Sequence, residues 1–78
     1  MTAEQLDLIS IDPAVMHGQA VISRTRIPVS VVLDCLAAGM STEDILAEYP
    51  ALAGDGVRAA AAYGALLARE ELSPLTAR

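Results

Sequence analysis

The segment that follows Pro28 limits most strongly what this chain can fold into, because its apolar residues repeat with the period of a helix. Four of them share one helical face: Val29, Val32, Leu33 and Leu36. Pro28 suits the first position of a helix, and Gly39 suits the position just past its end. The sequence therefore predicts a helix over about residues 28–38.

A short second helix is predicted directly after the glycine turn. Ser41 is a candidate N-cap, with Asp44 three residues later as in a capping box, and Tyr49-Pro50 ends the helix. Because Ser41 follows Gly39 so closely, the first two helices are joined by a tight turn.

A longer third helix is predicted over about residues 54–72, after a loop at residues 51–53 and before Ser73-Pro74. A helix, a tight turn, a short helix and a longer helix form the organisation of a three-helix helix-turn-helix domain of the homeodomain-like kind. The sequence thus predicts a mainly α fold with a three-helix bundle over residues 28–72 and a tail over residues 73–78.

The first third of the chain predicts a small β-hairpin. Residues 1–7 have the composition of a polar lead-in, and two short apolar runs of strand type follow, Leu8–Ile11 and Ala20–Ile22. Turn-forming pairs stand between them, Asp12-Pro13 and His17-Gly18. Since a lone hairpin is barely stable, we expect this arm, residues 8–22, to lie on the helices or to pair with a second copy of the single domain formed by residues 1–78.

The composition predicts apolar surface that one chain cannot cover. A domain of 78 residues buries only about 60 to 65% of the surface that its unfolded chain exposes. Hydrophobic residues make up 54% of this chain, although Trp and Phe are absent and Tyr49 and Tyr63 are its only aromatics. Uncovered apolar surface usually ends at an interface. We therefore expect a homodimer, a hetero-complex, or both.

The charge of the chain favours a protein partner over a nucleic acid. The formal net charge is −5, and five Arg stand against ten Asp and Glu, with no Lys. Nucleic-acid affinity comes mainly from cations that neutralise phosphates, whereas Arg without Lys is typical of protein interfaces. The lone Cys35 fits a reducing cytoplasm and is expected to be a small buried hydrophobe.

No pattern in the sequence indicates catalysis, a metal site or a cofactor. One cysteine and one histidine, His17, cannot supply a structural zinc site by themselves. The N-terminus lacks the features of a signal peptide, and no apolar run approaches the roughly 20 residues that span a bilayer. The sequence therefore predicts a soluble cytoplasmic protein that is not an enzyme and has no membrane partner.

Two motifs carry a resemblance to a known family. The first is I-D-P-x-x-x-x-G-x-x-V-I-x-x-T-R-I-P-V, and the second is L-x-x-G-M-S-x-E-D-I-L-x-E-Y-P-x-L. Over residues 11–63 the chain resembles the domain-of-unknown-function 433 family. The resemblance implies a homeodomain-like fold and an antitoxin-like role in a toxin-antitoxin system, in which the chain inhibits a PIN-type ribonuclease toxin by binding it. The alternatives are a DNA-binding helix-turn-helix transcriptional regulator, whose target could include its own operon, and a purely structural dimer with no nuclease partner.

The chain departs from the family pattern in three places. Arg24 stands where family members usually have glycine before the Thr-Arg pair, and Ala20 stands where they usually have proline. The usual Thr-Pro-Glu-Asp that leads into the third helix is replaced by residues 53–56, A-G-D-G. This change removes an N-cap hydroxyl at a cost of about 1 kcal/mol. We expect a looser start of the third helix, which disfavours DNA readout.

Four arginines are candidates for partner binding: Arg24, Arg26, Arg69 and Arg78. Arg26 either pairs with a carboxylate such as Asp12 or Asp34 and locks the hairpin to the first helix, or reaches the carboxylates of a partner. For Arg24 the alternatives are a partner contact, a solvated side chain or a phosphate contact. Arg69 and Arg78 belong to a helix end and tail that would wrap the nuclease and reach its metal site.

The third helix has two interpretations. In a packing interpretation Val57, Ala60, Tyr63 and Leu67 face the core of the chain, while a second surface packs closely on another helix, as in a dimer: Ala61, Gly64, Ala65 and Ala68. In a DNA-binding interpretation Arg58 is the cation placed early enough to reach base edges.

Overall fold

A two-stranded antiparallel sheet and four α-helices make up the described part of the chain, residues 1–14 and 16–71 of a computed structural model. The side chains of residues 16, 70 and 71 are not described. The strands are β1 (Ile9–Ile11) and β2 (Ala20–Ile22). The helices are α1 (Ala3–Asp7), α2 (Val29–Ala37), α3 (Thr42–Glu48) and α4 (Ala53–Glu71).

This architecture confirms the predicted mainly helical fold with an N-terminal hairpin. The strands pair in the register Ile9 with Ile22, Ser10 with Val21 and Ile11 with Ala20. The hairpin lies against α4 and α2, as a two-stranded sheet requires for stability. Short 3-10 turns occupy Met16–Gly18 and Pro50–Leu52. The predicted tail at residues 73–78, with Arg78, and the predicted last helical residue Leu72 lie outside the described residues.

The predicted end of the first bundle helix is confirmed in detail at Gly39. Its φ is +88°, a left-handed conformation that favours glycine. The backbone N–H of Gly39 donates to the carbonyl of Leu36 at 3.0 Å, and that of Met40 donates to the carbonyl of Cys35 at 3.1 Å. These two bonds form a Schellman motif, which satisfies carbonyls that would otherwise lack partners at the end of α2.

The start of α3 also follows the sequence prediction. The Ser41 hydroxyl accepts a hydrogen bond from the backbone N–H of Asp44 at 3.1 Å. Glu43 and Asp44 stand in the first turn, where negative charge opposes the positive end of the helix. The helix ends at Glu48, before Tyr49, as the sequence predicts.

The prediction of a polar lead-in over residues 1–7 is wrong, because α1 forms there. The Thr2 hydroxyl accepts from the backbone N–H of Gln5 at 3.1 Å, and the Gln5 side chain accepts from the backbone N–H of Thr2 at 3.0 Å. This is a capping box, which satisfies two helix-end donors reciprocally. The helix packs on α4.

One apolar cluster fills the space between the hairpin, α2, α3 and α4. Its buried members are Ile22, Val29, Val32, Ile45, Leu52, Val57 and Ala60. Cys35 packs against this cluster as a small hydrophobe, as predicted, but it is half-buried and not buried. Across residues 1–14 and 16–71, none of the helices has the length and apolar character that crossing a bilayer requires.

The start of α4 differs from a well-capped helix in the way the sequence indicates. Its first residue, Ala53, has φ +53° and ψ 166° and offers no side-chain oxygen to the helix. Gly56, in the first turn, is buried against the hairpin: a β-carbon there would lie 3.4 Å from Cγ2 of Ile22. The glycine thus allows α4 to approach β2 closely.

Candidate partner-binding surface

The turn between β2 and α2 is fixed by Thr25, the first residue of the T-R-I-P-V motif. The Thr25 hydroxyl donates to the carbonyl of Ile22 at 2.7 Å and accepts from the backbone N–H of Ile27 at 3.0 Å. The Ile22 N–H donates in turn to the Ile27 carbonyl at 3.0 Å. These bonds hold Ile22 and Ile27 together on either side of the turn. The turn therefore leads from the hairpin directly into α2.

Arg24 adopts a backbone conformation within this turn that favours glycine. Its φ is +63°, and it is the third residue of a four-residue turn closed by the hydrogen bond from the Thr25 N–H to the Ile22 carbonyl, 3.0 Å long. A positive φ at that position is typical of a type II turn, where glycine or asparagine is preferred. The glycine expected here from the family pattern would therefore sit without strain. Arg24 does not.

The prediction that Arg26 pairs with Asp12 or Asp34 is wrong. Arg26 is exposed, and within residues 1–14 and 16–71 the ion pair that forms joins Arg58 and Asp55. Asp12 instead accepts from the backbone N–H of Ala14 at 2.9 Å. The hydrogen bonds of Thr25 hold the hairpin to α2. The side chain of Arg26 does not contribute to this junction.

Two neighbouring backbone contacts hold the other side of the same turn. The Ser23 N–H donates to the carbonyl of Leu8 at 2.8 Å, and the Ser23 hydroxyl donates to the carbonyl of Asp7 at 2.9 Å. Arg24 and Arg26 are therefore exposed side chains on a backbone that is held in place from both sides. The structure brings these two predicted site residues together in one turn.

The C-terminal half of α4 exposes leucines. Val57 and Ala60 are buried and Tyr63 is half-buried, as predicted, but Leu67 is 52% exposed and Leu66 is 40% exposed. The predicted core position of Leu67 is thus wrong. The helical period continues along α4, whereas α2 and the hairpin, against which α4 packs, do not cover its last turns.

Leu67 borders an open apolar groove of about 260 Å³. The groove lies where α4, α2 and the start of β2 meet, and it is lined by Gln19, Ala20, Val29, Ser30, Leu33, Tyr63 and Leu67. The sequence did not single out Gln19 or Ser30, which line this groove, as surface residues of interest. Their position follows from which elements meet at this edge, and that is not visible in the pattern of a single helix.

The predicted small-residue surface of α4 is divided between two faces. Gly64 packs inward: a β-carbon there would lie 3.0 Å from Cδ1 of Leu33, so the glycine permits close contact between α4 and α2. The predicted close contact with another helix is thus found at Gly64, but the other helix is α2 of the same chain. Ala61, Ala65 and Ala68 are exposed and remain available for the predicted helix contact.

The remaining candidate cations lie on α4. Arg58 is exposed and pairs with Asp55 within the first turns of the helix. Arg69 is exposed near the end of the helix, close in sequence to Leu66 and Leu67. A second depression, of about 300 Å³, has a polar lining and includes Arg58 and Asp55 together with residues of α1. Among the residues described, no three His, Cys, Asp or Glu side chains come together to form a metal site.

Comparison with known proteins identifies the family. The family model described as "Protein of unknown function (DUF433)" matches residues 9–64. Nothing among the curated proteins matches the chain significantly. The chain is similar in structure to a DUF433 member protein from Anabaena variabilis ATCC 29413, solved by crystallography, with a TM-score of 0.70 and 29% sequence identity. The similarity covers 100% of this chain and 87% of that chain.

The matched residues include both elements of the hairpin, α2, α3 and most of α4, with the turn of Arg24 and Arg26 between them. Because the family model spans more than half of the sequence and a member of the family shares the fold over the whole of it, the chain belongs to the DUF433 family.

Proposed function

We propose that this chain is an antitoxin-like interaction module that dimerises and that binds and inhibits a PIN-type ribonuclease toxin. The observation that carries the proposal is the open apolar groove bordered by Leu67. The resemblance to antitoxin-like proteins gives the class of partner, and the groove and its surroundings give a means of binding it.

The groove offers more apolar surface than the chain can bury alone. Leu67 borders the groove and is 52% exposed. Complete burial of a leucine side chain stabilises a complex by about 1.5–3 kcal/mol. A partner helix or loop that covered Leu67 and filled the groove beside Tyr63 would gain about half of this free energy from Leu67, because that side chain is only 52% exposed in the free chain.

The exposed alanines of α4, on a different face of the helix from the groove residues Tyr63 and Leu67, support a helical contact. Ala61, Ala65 and Ala68 are exposed on α4 and carry only a methyl group each. Small side chains let two helices approach closely, which increases the number of van der Waals contacts. The predicted homodimer can use this face, while the groove remains for the nuclease.

The DNA-binding alternative has less support in the described surface. A recognition helix places cations or amides in its first turns to reach base edges. The first turns of α4 instead contain Gly54, Asp55 and Gly56, and Arg58 is paired with Asp55. A chain with net charge −5 also repels phosphates at long range.

Affinity purification of the tagged chain from its host, followed by mass spectrometry, tests the proposal. We expect a PIN-type nuclease in stoichiometric amount, and an RNA cleavage assay in which the added chain suppresses the activity of that nuclease. Recovery of the chain alone would contradict the nuclease proposal. A shift of its own upstream DNA at low salt would then favour the regulator.

A pair of leucine substitutions tests the role of the groove. Leu67→Glu places a charge at its border and should weaken binding of the recovered nuclease about 10-fold or more, because the partner would have to desolvate a carboxylate. Leu6→Glu is the matched control, since Leu6 on α1 is 55% exposed and is not among the groove residues. Equal affinities of the two variants, measured by titration calorimetry, would show that the groove is not the binding site.

A further inference from the structure

We propose that the turn formed by Ser23–Arg26, here called the arginine turn, binds carboxylates of the partner protein through Arg24 and Arg26. The inference rests on the proposed function in that the chain acts by binding a protein. It adds a second contact of a different chemistry to the apolar groove.

The first observation is the strained backbone of Arg24. Its φ of +63° lies in the left-handed region, which costs free energy for a residue with a β-carbon. Glycine would occupy the position of Arg24, the third of the four-residue turn from Ile22 to Thr25, without that cost. Strained conformations that the surrounding structure holds in place are concentrated at functional sites. A large cationic side chain in this position therefore indicates a use for the side chain itself.

The second observation is that the side chains of both arginines are exposed and unpaired. Among the side chains that the structure describes, those of residues 1–14 and 17–69, neither guanidinium makes a hydrogen bond or an ion pair. Arg58, by contrast, is paired with Asp55. The arginine turn thus presents two available cations on an acidic chain.

The third observation is that the backbone of the turn is already ordered. Backbone groups of Leu8, Ile22 and Ile27 form hydrogen bonds with the turn. Within the turn, the hydroxyls of Ser23 and Thr25 also form hydrogen bonds to backbone carbonyls outside it. Binding a partner then costs little backbone entropy, because only the two side chains become ordered. A preorganised pair of guanidinium groups suits a fixed group of acceptors on a folded surface.

The chemistry of the partner follows from the number and setting of these cations. Arg forms bidentate hydrogen bonds with carboxylates and with phosphates alike. Nucleic-acid binding draws its affinity from many phosphate contacts, about 6–10 in a typical protein. Two arginines separated by one residue, on a chain of net charge −5, match a small cluster of Asp and Glu on a protein and do not match a phosphate backbone.

The experiment measures the affinity of single and double variants for the nuclease recovered with the wild-type chain. Arg24→Gln and Arg26→Gln should each weaken binding about 10-fold and the double variant about 100-fold, as expected for truncated charge pairs at an interface. Arg58→Gln, which removes the same charge elsewhere, should change affinity less than 2-fold. Affinity of the double variant equal to that of the wild type would overturn the inference and leave the proposed function standing.

Arg24→Gly separates a binding role from a structural one. This substitution should raise the midpoint of urea unfolding, because the strain disappears, and should weaken nuclease binding as much as Arg24→Gln does. A variant that gained stability and kept full affinity would show that the guanidinium has no binding role.

A titration with model anions makes the inference independent of the nuclease. We would follow the NMR signals of the arginine Nε–H groups at 150 mM salt while adding poly-L-glutamate or a 12-nucleotide single-stranded DNA, both chosen as probes. The Arg24 and Arg26 signals should shift with poly-L-glutamate before that of Arg58 does. If no nuclease is recovered, the proposed function fails, and this titration alone tests whether the arginine turn binds carboxylates. Equal or larger shifts with DNA would overturn the assignment to carboxylates.

Discussion

At the scale of single residues, the turn before α2 shows how one hydroxyl can replace an expected ion pair. Thr25 uses its hydroxyl both as donor and as acceptor, to Ile22 and from Ile27, at 2.7 and 3.0 Å. An exposed ion pair of Arg26 would add at most about 1 kcal/mol, because solvent screens it and two long side chains lose freedom. The local hydrogen bonds therefore determine the geometry and leave Arg26 exposed.

Arg24 and Arg26 give opposite predictions for glycine substitution. Arg24→Gly should increase the free energy of unfolding by about 1 kcal/mol, because it relieves a left-handed β-carbon. Arg26→Gly should decrease it by about 0.5–1 kcal/mol, since Arg26 has no positive φ and glycine only adds freedom to the unfolded chain. Urea unfolding of the two variants measures both effects. A loss of stability in both would contradict the assigned turn.

The residue-level predictions from the sequence succeeded where the cause is local. Gly39 and Ser41 were predicted because a helix end needs a left-handed residue and a helix start needs a side-chain acceptor, and both needs are met within a few positions. The left-handed Arg24 was not predicted, since its turn type depends on the pairing of Val21 in β2 with Pro28. A single sequence does not display that pairing.

At the scale of elements, each wrong prediction reflects a limit of periodicity. α1 has only five residues, none of them buried, so it shows no apolar repeat. The Thr2 and Gln5 capping box was the available signal. Leu67 fits the apolar period of α4 but is exposed, because periodicity gives the face of a helix and not the length of its neighbours.

The N-cap of α3 provides a prediction at this scale. Ser41→Ala should lower the free energy of unfolding by about 1 kcal/mol, because the backbone N–H of Asp44 loses its acceptor. Thr42→Ala, at the next and equally exposed position, should change it by less than about 0.5 kcal/mol. Thermal unfolding followed by circular dichroism compares the two. Similar losses would indicate that the hydroxyl of Ser41 does not cap the helix.

At the scale of the whole molecule, three surfaces remain after the chain has folded: the apolar groove, the exposed alanines of α4 and the arginine turn. The composition predicted that apolar surface would remain but not where, since the position depends on how far α4 extends beyond the elements packed on it. The sequence identified both arginines of the turn. It missed the groove, because its lining comes from residues far apart in the chain, such as Gln19 and Tyr63.

The alanine face of α4 gives the last prediction, which concerns the proposed homodimer. Ala65→Glu places a carboxylate at the centre of the face formed by Ala61, Ala65 and Ala68, and should convert the dimer to a monomer in sedimentation velocity. The desolvation of two like charges would oppose close helix contact. Ala47→Glu, an exposed alanine of α3, should leave the dimer intact. A wild-type chain that sediments as a monomer would contradict the proposed homodimer. An Ala65→Glu dimer as stable as the wild type would show that the dimer forms through another surface. Because the groove residues Tyr63 and Leu67 lie on a different face of α4 from these alanines, a monomeric Ala65→Glu variant that still inhibits the nuclease would also separate dimerisation from toxin binding.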